Sequence, residues 1–78
     1  MDEETTLNAV LTELHRATAI YTSFQSAHEG YAILLEEVDE LWETIKMKQS
    51  IPERNRLMYE EAIQVAAMAI RLCLDCVK

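Results

Sequence analysis

With one glycine and one proline among 78 residues, the chain lacks the punctuation of a turn-rich sheet or a β-sandwich. Half of its residues are hydrophobic, which separates it from a disordered polymer. A few long helices, an all-α class, are what remain. The two cysteines, Cys73 and Cys76, have no second pair to complete a zinc set or a disulfide framework. They fall in an apolar helical pattern, which predicts two buried free thiols. No apolar run approaches the roughly 18 residues of a membrane span. The acidic start also lacks the basic-then-apolar order of a signal peptide, so a cytoplasmic protein with no membrane partner is expected. Basic residues are scarce as well: seven against fourteen acids leave a formal charge of −7. Such a balance repels the phosphates of a nucleic acid polymer and favours cations. A chain this short, one domain over residues 1–78, buries only roughly 60 to 65 per cent of its unfolded surface. Its core is marginal and homo-oligomerisation is the expected remedy.

Leu7, Val10, Leu11, Leu14, Ala17, Thr18 and Tyr21 recur at helical spacing and predict a first helix from about Thr5 to Thr22. Asp2, Glu3 and Glu4 suit its positive end. His15 and Arg16 fall on its wetter side and carry no assigned chemistry. Ser26-Ala27-His28-Glu29 matches a capping box and opens a second helix to about Gln49. Along it Tyr31, Leu34, Leu35, Val38, Leu41, Trp42 and Ile45 make an apolar side expected to build the bundle. Gly30 lowers helix propensity by about 1 kcal/mol relative to alanine, which suits either a close neighbour or a tolerated first-turn residue. Ser50-Ile51-Pro52-Glu53 repeats the capping box and predicts a third helix to about Val77. From Ala62 to Leu74 that helix is apolar nearly all round, interrupted only by Gln64 and Arg71. A three-helix subunit covers it poorly, so a subunit interface is expected.

Six acids, Glu29, Glu36, Glu37, Asp39, Glu40 and Glu43, crowd fifteen residues of the second helix. Like charges three or four apart destabilise a helix by a few tenths of a kcal/mol per pair, which a bound dication would relieve. A plain solvated acidic face is the competing reading. Glu37 borders the apolar side, and Ile33 and Met47 project among the acids, so this side is not wholly water-facing. On the third helix Glu61 and Gln64 share a face. If the two helices are antiparallel and joined near Ser50, Glu40 and Glu61 stand at similar heights. Glu37, Glu40, Glu61 and Gln64 would then converge as hard oxygen ligands suited to Mg²⁺ or Mn²⁺, with Glu36 spare as a general base.

Glu37-x-x-Glu40, twenty intervening residues, then Glu61-x-x-Gln64 resembles the two-part signature of the MazG-like nucleoside triphosphate pyrophosphohydrolases. The phrases HEGYAILLEEVDELW and EAIQVAAMAIR extend the resemblance over roughly residues 24 to 74. It implies Mg²⁺-dependent cleavage between the α and β phosphates of a nucleotide, cleansing of nucleotide pools, and a homodimer or homotetramer. Carried over residue by residue, it makes Glu37, Glu40 and Glu61 metal ligands. Gln64 departs from the family aspartate; its amide oxygen can coordinate but brings no charge, and Asp75 or Glu60 are candidates to compensate. Tyr31 and Trp42 are candidates to stack a base, or else core residues. Lys46, Lys48, Arg54 and Arg71 are candidates to meet phosphates, or else surface and ion-pair residues, Arg71 with Asp75 at i,i+4. The alternative function is a catalytically degenerate relative, serving as a nucleotide-binding or protein-interaction helical module.

Overall fold

An aspartate starts the chain's first helix. In a computed structural model that describes all residues, Met1–Lys78, Asp2 accepts the Thr5 N–H at 2.7 Å and the Thr5 hydroxyl at 3.0 Å. These bonds hold its carboxyl below the usual range and begin α1 (Glu3–Ile20) two residues ahead of the apolar pattern. The fold is all-α, with α2 (Ala27–Ile45) and α3 (Arg54–Cys76) completing it. No helix is long and apolar enough to cross a membrane. Ser26 caps α2 as its sequence predicts, accepting the Glu29 N–H at 3.1 Å. The Glu29 carboxylate reaches back to the N–H of Gln25, one residue short of the reciprocal bond a capping box prescribes.

The second expected capping box does not form. Helix α2 stops at Ile45, so Lys46 is its C-cap and Lys48 lies beyond it. Two successive turns, closed by Ile51 N–H to the Lys48 carbonyl and Arg54 N–H to the Ile51 carbonyl, occupy the segment that Ser50 was expected to cap. Arg54 instead donates to the Ile45 carbonyl at 3.0 Å, satisfying a group that the end of α2 leaves without an intrahelical partner.

Helix α3 is the centre of the molecule. It packs against both other helices, whereas no Cα of α1 comes within 8 Å of a Cα of α2. The core is Val10, Leu14 and Ala17 of α1, Phe24 of the connecting loop, and Ile63, Ala67 and Met68 of α3. Helix α2 adds no fully buried apolar side chain; its buried residues are Gly30 and Thr44. It turns the arc containing Gly30, Leu34, Glu37, Leu41 and Thr44 inward, so Leu34 and Leu41 of its apolar side are half-buried as expected, and the other five residues are corrected from core to surface. Tyr31, Leu35, Val38, Trp42 and Ile45 remain 39 to 61 % exposed. On α3 both cysteines are free, but in place of two buried thiols Cys73 is exposed and Cys76 is half-buried against the core. The accessible surface is 5576 Å², against roughly 4,900 Å² expected for a folded monomer of this mass.

Gly30 sits where α2 crosses the end of α3. A methyl group added there would lie 3.0 Å from a Leu72 methyl carbon and 3.0 Å from the Phe24 ring. Close approach is therefore the role of this glycine. Gly30→Ala is expected to lower stability by about 1 kcal/mol, because crowding outweighs the roughly 1 kcal/mol gained in helix propensity. Urea denaturation measures it; a more stable variant would mean that Leu72 and Phe24 yield freely.

Candidate metal centre and groove

Because α1 and α2 each rest on α3 but keep their backbones apart, a groove runs between them. Its volume is about 410 Å³. Glu13, Arg16 and Ala17 form the α1 wall, Ile33, Glu36 and Glu37 the α2 wall, and Gln64, Met68 and Arg71 the floor. Tyr21, Thr22 and Phe24 of the α1–α2 loop also line it. A second recess of about 340 Å³ continues past Glu13 and Gln64 between α1 and α3.

Arg71 holds that loop in place. Its side chain is buried, donates to the Thr22 carbonyl, lies 3.7 Å from Asp75 and stacks 4.2 Å from the centre of the Phe24 ring. Asp75 in turn accepts the Phe24 N–H at 2.9 Å. Each group meets a partner of opposite polarity, which a buried guanidinium requires. Asp75 is thereby engaged away from the carboxylates of α2, and Glu60 pairs with Arg56 at 3.0 Å.

The antiparallel course of α2 and α3 brings one carboxylate oxygen from each of Glu37, Glu40 and Glu61 within 4.8 Å of the others. Glu37 and Glu40 are one turn apart on α2, and Glu61 faces them from α3. One oxygen of Glu37 and one of Glu61 are buried without any hydrogen-bond partner. Burial, reinforced by the charges of Glu40 and Glu61, pushes the Glu37 carboxyl up to about 7. Burial and Glu40 also raise Glu61. Three carboxylates gathered this closely, two of them with a buried oxygen that lacks a partner, are a donor set that a hard divalent cation would suit. Glu36 stands beside Glu37 along the groove, and Gln64 follows Glu61 by one turn on its floor.

The remaining sequence candidates lie apart from these carboxylates. Tyr31 and Trp42 belong to the exposed stripe of α2 and line neither recess. Lys46 pairs with Glu43 at 2.9 Å and lies over the Trp42 ring, Lys48 is exposed in the turn segment, and Arg54 serves the end of α2. Glu13 and Arg16, passed over in the sequence, form the opposite wall; their i,i+3 spacing on α1 was the available signal. No family model, curated protein or solved structure matches this chain.

In the metal-free protein, a carboxyl whose pKa is raised by folding stabilises the folded state below its unfolded pKa and loses that contribution as pH rises. With chelator present, Tm should therefore fall between about pH 5 and about pH 7.5, in the direction set by Glu37 and Glu61. Asp2 and Glu13, whose pKa values are lowered, act below that window. Glu37→Gln should flatten the slope, and saturating Mg²⁺ should restore Tm at the alkaline end. A flat wild-type profile would contradict the crowding of these carboxylates.

Proposed function

We propose that this protein is a Mg²⁺-dependent nucleoside triphosphate pyrophosphohydrolase of the nucleotide pool, acting in the cytoplasm as a homo-oligomer. The observation that carries the reading is the convergence of Glu37, Glu40 and Glu61, with two buried oxygens lacking partners, beside a groove of about 410 Å³. Those three carboxylates would hold the cation, and Gln64, one turn after Glu61, would add a neutral oxygen ligand. When bound, Mg²⁺ supplies charge neutralisation at the phosphates and acidifies a coordinated water. Glu36, which lines the groove, would take the proton from the water that attacks the α phosphorus. The bond from that phosphorus to the bridging oxygen breaks, pyrophosphate departs and a nucleoside monophosphate remains.

The oligomer reading rests on the other face of α2. Tyr31, Leu35, Val38, Trp42 and Ile45 follow an alternating spacing of four and three residues, the pattern of a helix seam. The surface in excess of a typical monomer, roughly 700 Å², is close to the roughly 800 Å² that each partner buries in a standard interface. Because Tyr31 and Trp42 lie on that stripe, they belong to the contact between subunits under this reading.

Pyrophosphate release from a panel of standard and modified nucleoside triphosphates, with Mg²⁺, with Mn²⁺ and with neither, tests the reaction. Turnover of at least one member only with metal is expected, and Glu61→Gln should lower kcat/KM roughly 100-fold or more. No turnover of any member would favour a nucleotide-binding or interaction module. Light scattering tests the assembly: dimers or tetramers at micromolar concentration are expected for the wild type, and Trp42→Glu should shift them to monomer. A monomeric wild type would remove the oligomer.

A further inference from the structure

The groove carries a charged pair that the proposed reaction leaves unused. On α1, Glu13 and Arg16 stand one turn apart and share a two-pronged bond, Nε to Oε2 at 2.9 Å and Nη2 to Oε1 at 2.6 Å. Both line the groove across from Glu36 and Glu37. The Arg16 side chain is 50 % exposed and that of Glu13 is 18 % exposed, so the guanidinium lies at the rim and the carboxylate sits within the wall.

Of the seven basic residues, only Arg16 and Arg71 line this groove. Arg71 is buried and engaged with the Thr22 carbonyl, Asp75 and the Phe24 ring. Every other charged group lining the groove is a glutamate. A polyanion entering it meets one reachable cation. The fork that grips a carboxylate through two parallel bonds fits two oxygens of a phosphate equally well. Because the guanidinium is half exposed at the rim, an entering anion can reach it and exchange one two-pronged partner for another.

We propose that Arg16 grips the phosphate chain in this groove and that Glu13 is its resting partner, which a polyphosphate displaces from the guanidinium fork. The chemical class of the ligand rests on the nucleoside triphosphate reading; the exchange rests on the Glu13–Arg16 geometry. Arg16 acts as a binding residue, and Glu13 sets how readily it is available.

Calorimetric titration of the Mg²⁺-saturated chain with inorganic tripolyphosphate tests this without requiring nucleotide turnover. Arg16→Ala should weaken binding roughly tenfold or more, and Glu13→Gln should tighten it roughly threefold. In the Arg16→Ala background Glu13→Gln should give a smaller gain, since it removes only a repulsive charge and no fork remains to be released. Arg16→Lys, which keeps the charge without the fork, should retain part of the affinity and replaces Arg16→Ala if that variant fails to fold. Wild-type affinity in the Arg16 variants, or an equal gain from Glu13→Gln in both backgrounds, would overturn the proposal even if the wild type releases pyrophosphate from nucleotides. A wild type that neither binds tripolyphosphate nor hydrolyses any triphosphate would overturn both this proposal and the reaction.

Discussion

Arg71, at 4 % exposure, holds the α1–α2 loop against α3. Its guanidinium meets the Thr22 carbonyl, the Phe24 ring and Asp75, and Asp75 meets the Phe24 N–H. A buried guanidinium is unfavourable unless its donors and charge are answered, so the loop is held in a geometry that answers them. That geometry fixes where α1 ends and α2 begins. It thereby sets the gap between the two helices, and the gap is the groove. The core residue Phe24 enters by the same route, which ties the packing of α1 on α3 to the shape of the recess beside it.

A second constraint works against folding. Three carboxylates are held together on α2 and α3, and two of their oxygens lack partners. Burial and the charge of Glu40 oppose the ionisation of Glu37 and Glu61, so the proton is favoured on Glu37 to about pH 7. A structural role alone would be served better by apolar residues or by acids turned to water. The Glu29–Ser26 cap, the Arg54 bond to the end of α2 and the packing of Gly30 under Leu72 anchor the hairpin at both ends. The strained middle is the part proposed to bind a cation. Local conflict of this kind, surrounded by consistent structure, is where function is expected to reside.

Three helices, and the antiparallel pairing that brings Glu40 beside Glu61, were legible because apolar periodicity and helix-start signals are local properties. Ser26 was read correctly for that reason. Ser50 was not, because Pro52 and the turns around it reverse the chain before α3 begins. The inward face of α2 was misassigned for a different reason. Tyr31, Leu35, Val38, Trp42 and Ile45 stay exposed while Leu34 and Leu41 of the same pattern turn inward, and periodicity alone cannot say which neighbour a stripe will meet. The carboxylates of the candidate site could be found from spacing within two helices. The α1 wall could not, since Glu13 and Arg16 reach the groove only through the three-dimensional packing of α1 on α3. Arg71 was read either as a phosphate contact or as the i,i+4 partner of Asp75, and the pair with Asp75 is present; its place under the loop depends on contacts with Thr22 and Phe24, nearly fifty residues away in sequence.

The separation of the α1 and α2 backbones also divides the groove's parts by inheritance. The α2–α3 hairpin carries Glu37, Glu40 and Glu61, while the α1 backbone stays more than 8 Å from that of α2. Changes confined to the exposed rim of α1 can therefore alter the size and charge of the recess without moving a carboxylate oxygen. Mutation on one helix can reshape the recess while the carboxylate cluster stays on the other two. A short chain built this way can vary the shape and charge of its recess more readily than the cluster beside it.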